Sequence, residues 1–200
     1  MNSVTNIVIA GVGGQGSILA SRLLGRIAIN SGFDIKVSEV HGMSQRGGSV
    51  ITYVRYGEKV YAPLVEEGEA DYLIAFEQLE AARWLHMLKN DGIIVMSSQQ
   101  IDPAPVLSGN AEYPSGISEK LKSTGVKVYE IDAFGIAKEL GFVRASNVVI
   151  LGAFTAVAKL PFDMCKESLE SVLASRYVEQ NLEAFQRGYN EILAYSYGQT

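Results

Sequence analysis

Cysteine is almost absent from this sequence: Cys165 is the single one among 200 residues. One thiol cannot form a disulfide within the chain, and a [4Fe–4S] cluster normally takes four cysteine ligands. We therefore expect no cysteine-ligated cluster in this chain. A zinc site is not expected either, because the two histidines, His41 and His86, are isolated and neither stands in an H-x-x-x-H pattern.

Long apolar runs and an excess of basic residues are also missing. No apolar run approaches the roughly 18 residues that a membrane helix needs. Lys and Arg number 17 against 22 Asp and Glu, which gives a net charge of −5, whereas a broad nucleic-acid surface usually needs a basic excess. We expect neither a membrane nor a nucleic acid as partner. We expect a cytoplasmic location.

Several catalytic motifs are absent as well. The sequence has no G-x-S-x-G, H-E-x-x-H or G-x-x-x-x-G-K-[ST], so serine-hydrolase, zinc-protease and P-loop functions lose their main support. What the sequence does have is a hydrophobic fraction of 48%, ordinary for a globular protein. With no linker in evidence, we expect a single domain over residues 1–200.

Apolar runs and helical patterns alternate along the chain. This predicts a Rossmann-like, doubly wound α/β fold with a mostly parallel sheet and additional C-terminal helices. The predicted strands are 7–10, 35–39, 49–56, 72–76, 92–96 and 126–131. The predicted helices are 17–30, 79–88, 118–123, 133–140, 147–159, 164–175 and 178–194, with residues 102–114 as a surface excursion. Asn147 is expected first to cap its helix and second to contact a ligand. Glu77 and Glu80 are expected to favour a helix N-terminus, with an acid/base pair as the alternative.

A glycine motif follows the first strand and opens the first helix. Gly11, Gly13 and Gly16 form G-x-G-x-x-G, which in this context favours binding of an anion or nucleotide at the helix N-terminus. The alternative is a tight turn that binds nothing. Glu39 ends the second strand, where an acidic residue would meet the ribose of NAD. Its alternative is a carboxylate that is solvated or that orders a loop, so an NAD-linked enzyme stays one open interpretation.

The nine residues 40–48 contain the densest group of polar side chains in the chain. His41, Ser44, Gln45 and Arg46 stand among the glycines 42, 47 and 48. Arginine offers a fixed fork of donors for phosphate or carboxylate, and histidine exchanges a proton near neutral pH. We expect a functional loop between two strands here. The alternative is a loop whose polar groups satisfy their own backbone.

Two segments together resemble a known family. Residues 9–16 (IAGVGGQG) and 38–50 (SEVHGMSQRGGSV) resemble the gamma subunit or domain of 2-oxoacid:ferredoxin oxidoreductases, and the HGMSQRGG form looks most like the indolepyruvate type. The resemblance implies a subunit that is inactive alone. The complex would decarboxylate a 2-oxoacid on thiamine diphosphate, pass electrons through iron–sulfur clusters to ferredoxin, and release the acyl group on coenzyme A.

The resemblance also assigns cofactors and site residues. Thiamine diphosphate and the clusters are expected on a large catalytic partner subunit, with no cofactor assigned to this chain and coenzyme A as a candidate co-substrate. His41 and Arg46 are the catalytic candidates, near the active site of the large subunit, with Arg46 and the glycine loop available for a phosphate-bearing group. The other matching residues are Gly11, Gly13, Gly14, Gln15, Gly16, Glu39, Gly42, Ser44, Gln45 and Gly47. A free-standing NAD(P)-linked reductase and a regulatory nucleotide-binding module remain alternatives.

Overall fold

Residues 4–41 and 48–197 are described by the computed structural model, and within them strands alternate with helices. The strands are β1 Thr5–Val12, β2 Asp34–His41, β3 Ser49–Gly57, β4 Ala70–Ala75, β5 Leu88–Ser97 and β6 Lys127–Ile131. The helices are α1 Ser17–Asn30, α2 Gln78–Arg83, α3 Ala104–Leu107, α4 Ile117–Ser123, α5 Ala133–Glu139, α6 Ser146–Val157, α7 Phe162–Val172 and α8 Val178–Tyr197. Short 3-10 turns lie at Leu85–Met87, Val143–Ala145 and Ser175–Tyr177.

The strands form one sheet in the order β2-β3-β1-β4-β5-β6. Strand β1 pairs in parallel with β4, and the parallel pairing continues through β5 to β6. Strand β3 is antiparallel to both of its neighbours, so β2 runs in the same direction as β1 but is not adjacent to it. The predicted α/β fold with a mostly parallel sheet is confirmed, with β3 as the antiparallel strand.

The central strands are apolar on both faces because helices cover both faces of the sheet. Residues Ile7 to Ala10 of β1 are fully buried, as a continuous apolar run in a parallel sheet requires. On one face the core cluster joins the sheet to residues of α1, α5, α6 and α8, and α7 packs on the outside against α1. The other face packs against α2 and α4. This arrangement matches the doubly wound architecture.

Helices α6 and α8 cross at close range because each places a glycine at the crossing. A Cβ on Gly152 would lie 2.0 Å from the carbonyl oxygen of Phe185, and one on Gly188 would lie 1.9 Å from that of Val149. Helix α6 is buried from Asn147 to Thr155. The C-terminal helix α8 therefore covers α6 rather than extending into solvent.

Several predicted boundaries are wrong, and those of β2 and α2 differ for a clear physical reason. Val40 and His41 continue β2 because they pair with Ile51 and Val50 of β3. The helix predicted for 79–88 ends at Arg83, since Leu88 already pairs with Ala70 as the first residue of β5.

Asn147 does not cap its helix. The N-cap position belongs to Ala145 after a 3-10 turn, and the Asn147 side chain turns to the glycine loop. The excursion at 102–114 contains α3, which starts after Pro103, a residue type that helix N-termini accept.

Among the described helices, none is both long enough and apolar enough to cross a membrane.

Candidate functional site at the carboxyl ends of the central strands

The glycine loop lies where the sheet changes its direction of winding. Strand β1 leads into α1 on one face, whereas its parallel neighbour β4 leads into α2 on the opposite face. In open α/β sheets the crevice at such a switch point is the usual place for ligands. The structure thus brings Gly11 to Gly16 to the expected edge of the sheet.

Two glycines of this loop have backbone conformations that other residues rarely adopt. Gly14 has a φ of 101° and Gly16 a φ of 91°. A Cβ on Gly16 would also lie 2.1 Å from Nδ2 of Asn147. Gly16 is therefore required both by its left-handed backbone and by the side chain packed against it, whereas Gly14 faces open space.

The side chain of Gln15 crosses the crevice and ties three strand ends together. Its Oε1 accepts a hydrogen bond from the Val12 N–H at 2.7 Å. Its Nε2 donates to the Phe76 carbonyl at 3.0 Å, after β4, and to Oε1 of Gln99 at 3.2 Å, after β5. The Gln15 side chain thus links the ends of β1, β4 and β5 and occupies part of the crevice that a dinucleotide would enter.

The N-terminus of α1 keeps its capacity to bind an anion. Within the described residues, the N–H groups of Gly14, Gly16, Ser17 and Ile18 have no hydrogen-bond partner. The first turn also lacks an acidic side chain. Unpaired N–H groups and the helix dipole together favour a negatively charged group at this point.

The ends of the polar loop meet at the same edge of the sheet. His41 pairs with Val50 across β2 and β3, and the Gly13 N–H donates to the Gly48 carbonyl at 2.9 Å. Gly42, Ser44, Gln45, Arg46 and Gly47 lie outside the described residues, as does the side chain of His41. Their assigned roles stay predictions, but the loop that carries them begins and ends beside the glycine loop.

Glu39 lies on β2, two strands away from β1. Strand β3 separates β2 from β1, so two strand spacings of about 4.8 Å each divide the strand of Glu39 from that of the glycine loop. Its Oε1 accepts a hydrogen bond from the Ser21 hydroxyl of α1 at 3.2 Å. The site role assigned to Glu39 stays a prediction.

A cavity of about 430 Å³ opens beside the end of the polar loop. Gly48 and Ser49 form one wall, and residues 101–105 with Leu107 form another. Glu77 and Glu80 of the α2 start also line it, and its volume falls in the range of small-molecule sites.

Glu77 has the capping role that its position predicted. It is the N-cap of α2, where its side chain accepts the Glu80 N–H at 2.9 Å. It also accepts from the hydroxyl of Tyr113 and, at 3.2 Å, from the N–H of Ile101. All of these bonds hold the cavity wall in place.

Sequence reasoning did not single out Trp84 and Gln99, which the fold brings to this edge, because neither stands in a recognisable pattern. Ser49 lies within the segment that carries the family resemblance but was not named as a site residue, and Asn147 was expected as a cap first and as a ligand contact second. Asn147 is 7% exposed, and its Oδ1 is buried without a hydrogen-bond partner among the described residues. It reaches the glycine loop from a helix far away in sequence, which no local signal indicates.

No group of three or more metal-ligating side chains occurs among residues 4–41 and 48–197. Cys165 is fully buried in α7, and burial raises the pKa of its thiol to about 11. A thiol in that environment is unreactive, as expected for a packing residue.

Comparison with known proteins decides among the interpretations. The pyruvate ferredoxin/flavodoxin oxidoreductase family matches residues 6–191. The chain belongs to this family. It is 42% identical to the indolepyruvate oxidoreductase subunit IorB of Pyrococcus horikoshii over 190 residues, which cover 92% of this chain and 93% of that one. The predicted family resemblance is confirmed.

Solved structures share the fold. The gamma subunit of a keto/oxoacid ferredoxin oxidoreductase from Geobacter sulfurreducens superposes with a TM-score of 0.71 at 24% identity, covering 95% of this chain and 99% of that one. The 2-oxoglutarate:ferredoxin oxidoreductase of Magnetococcus marinus gives a TM-score of 0.75 at 23% identity over 97% of this chain and 32% of that larger chain. These comparisons give no support to a free-standing NAD(P)-linked reductase or a regulatory module.

Proposed function

We propose that this chain is the small subunit of an indolepyruvate- or arylpyruvate-type 2-oxoacid:ferredoxin oxidoreductase. The observation that carries the proposal is the 42% identity to an IorB subunit over more than nine-tenths of both chains. The complex would convert a 2-oxoacid and coenzyme A into acyl-CoA and carbon dioxide. Two electrons and one proton leave in this step, and two ferredoxin molecules take one electron each.

In this proposal, decarboxylation and electron transfer take place on a large partner subunit. Thiamine diphosphate on that subunit would supply the nucleophile and the electron sink that decarboxylation of a 2-oxoacid needs. The single cysteine of this chain cannot ligate a [4Fe–4S] cluster, which supports placing the clusters on the partner too. We also propose that residues 1–200 act as one gamma-type domain and that the complex is cytoplasmic.

The contribution of this chain is to bind and orient. We assign the glycine loop and the polar loop to the interface with the large subunit, near its active site. Arg46 and the unpaired N–H groups of Gly14 and Gly16 would hold a phosphate-bearing part of coenzyme A, and His41 would exchange a proton. Support comes from the 2.9 Å hydrogen bond that joins Gly13 to Gly48, because the end of the polar loop at Gly48 thereby contacts the glycine loop.

Coenzyme A is the co-substrate that this arrangement suits. The structure of the Magnetococcus marinus enzyme has 2-oxoglutarate, coenzyme A and succinyl-CoA bound. Holding a phosphate group far from the reacting carbonyl would fix the thiol near it, and such positioning is worth several kcal/mol in favourable cases. The remaining members of the proposed interface are Gly11, Gln15, Glu39, Gly42, Ser44, Gln45 and Gly47.

The test is co-expression with the large subunit and a ferredoxin-reduction assay on indolepyruvate, phenylpyruvate and pyruvate. We expect Arg46→Ala to assemble normally and to raise KM for coenzyme A at least about tenfold, the loss of one charge-assisted hydrogen bond of about 1.5–3 kcal/mol. Arg187→Ala is the matched control, since Arg187 forms an exposed ion pair with Glu139 at 3.1 Å. Normal turnover and normal KM after Arg46→Ala would contradict the role given to the loop.

A further inference from the structure

A cluster of polar side chains around the buried Glu80 lies next to the end of the polar loop. Ser49 is the second residue after the undescribed segment 42–47. Its hydroxyl donates to Oε2 of Glu80 and accepts from Nε1 of Trp84 at 3.2 Å. Ser49, which follows the polar loop in the chain, is thus hydrogen-bonded to the side chains of both Glu80 and Trp84.

Glu80 is the centre of this cluster. Its residue is 4% exposed, and its Oε1 lies 3.4 Å from Nε of Arg83. Burial raises the pKa of the Glu80 carboxyl, and the nearby Glu77 raises it further. The hydrogen bonds from Ser49 and Trp84 and the charge of Arg83 lower the pKa, but their effect is smaller. A buried carboxylate is costly for stability even when paired, so its presence here suggests a role other than stability.

The cluster does not form a ligand site, because its acceptors are already used. Glu80 meets Ser49 and Arg83, while Glu77 accepts from Glu80, Ile101 and Tyr113. Within the described part of the chain, the buried polar atoms without a partner belong to Thr52 and Asn147, which are not members. Glu80 and Trp84 form hydrogen bonds with Ser49 at the end of the loop, and these bonds fix the position of that end.

A second contact fixes the same end from the other side. The carbonyl of Gly48 accepts from the N–H of Gly13 in the glycine loop at 2.9 Å. Gly48 and Ser49 are therefore held between the glycine loop and the start of α2. Every polar residue of the loop precedes this fixed point by only a few positions.

We propose that Glu80 is a positioning residue: together with Trp84 it holds Ser49 and so anchors the point at which the polar loop 40–48, which carries Arg46 in its sequence, rejoins the sheet. The anchor itself follows from the contacts of Ser49, Glu80 and Trp84. Its consequence for turnover rests on the proposed function of the loop.

The anchor is tested by hydrogen exchange and fluorescence on the full chain and on the assembled complex. We expect amides of residues 42–50 to exchange at least about tenfold faster in Glu80→Ala and in Ser49→Ala than in the wild type. Glu80→Gln, which keeps one carbonyl acceptor, should restore most of the protection. Trp84 is the single tryptophan, so its emission should shift in Ser49→Ala.

The exchange pattern separates an anchor from general stabilisation. Amides of the distant strand β5 should keep wild-type rates in these variants, and Glu119→Ala, an exposed carboxylate on α4, should leave both regions unchanged. Unchanged exchange at 42–50, or an equal rise throughout the chain, would overturn the anchor.

Turnover in the complex then separates the anchor from the proposed function. A displacement of about 1 Å near a reacting site costs up to about 100-fold, so we expect Glu80→Ala to lower kcat/KM for coenzyme A by about 10- to 100-fold. The Glu80→Ala/Arg46→Ala double variant should be no worse than Arg46→Ala. If Arg46→Ala is active but the exchange result holds, the proposed function fails and the anchor stands. If Arg46→Ala is impaired and exchange at 42–50 is unchanged, the anchor fails alone.

Discussion

Replacing Gly16 by alanine should destabilise the protein far more than replacing Gly14, although both lie in the same loop. Both residues have a positive φ, of 91° and 101° respectively. An added Cβ at position 14 meets nothing within 4 Å, whereas one at position 16 would lie 2.1 Å from Nδ2 of Asn147. Gly14→Ala therefore measures backbone strain alone, and Gly16→Ala measures strain plus steric overlap.

The expected sizes follow from these two terms. A left-handed backbone costs a residue with a Cβ about 1–2 kcal/mol, and overpacking adds about 1–3 kcal/mol. We expect the free energy of unfolding to fall by about 1–2 kcal/mol in Gly14→Ala and by about 2–5 kcal/mol in Gly16→Ala. Asn147→Ala removes the nearest atoms and should recover the overpacking part in the double variant.

The assay is urea unfolding followed by helical circular dichroism, which gives the free energy of unfolding for all four variants. The double-mutant cycle should show a coupling of about 1–3 kcal/mol between positions 16 and 147. Equal losses in Gly14→Ala and Gly16→Ala, or strict additivity in the cycle, would refute the contact between Asn147 and the glycine loop.

Three further predictions concern the helices and the buried ionisable groups. Gly188→Ala should lower the free energy of unfolding in urea by about 3 kcal/mol, because its Cβ would lie 1.9 Å from the Val149 carbonyl oxygen. Gly25→Ala is the control and should be neutral or stabilising, because the nearest atom to its Cβ is 3.6 Å away, on Ile35. Similar effects of the two substitutions would argue against the close crossing of α6 and α8. Because burial raises the pKa of Glu80, the folded protein holds this proton more tightly than the unfolded chain, so wild-type stability falls as pH rises through the raised pKa. The stability of Glu80→Gln relative to wild type should therefore improve between pH 4.5 and pH 8, and a difference that does not change with pH would contradict this prediction. Cys165, with a pKa of about 11, should react with a thiol reagent at the rate of unfolding, and immediate reaction in native buffer would show that its burial is wrong.

Much of the fold was predictable because the signals are local. The run from Ile7 to Ala10 is buried on both faces, so it appears in the sequence as an unbroken apolar stretch. Helix α1 has the predicted bounds, Ser17 to Asn30, because glycines at positions 16 and 32 mark its ends. The glycine loop could be placed at the carboxyl end of β1 for the same reason.

The rest depends on contacts between distant segments. Nothing local places β3 between β2 and β1, and that placement puts the strand of Glu39 two positions away from the strand that leads into the glycine loop. The anchoring of Ser49 by Glu80 and Trp84 joins residues more than thirty positions apart. Asn147 reaches Gly16 from across the domain, because the preceding 3-10 turn at Val143–Ala145 takes over the start of α6.

The central claim is a division of labour between this chain and a larger partner. Its most direct test is reconstitution of the two purified subunits, with ferredoxin reduction measured on indolepyruvate and coenzyme A. The account predicts turnover only when both subunits are present. Oxidation of the 2-oxoacid by this chain alone, or full activity of the large subunit without it, would contradict the account.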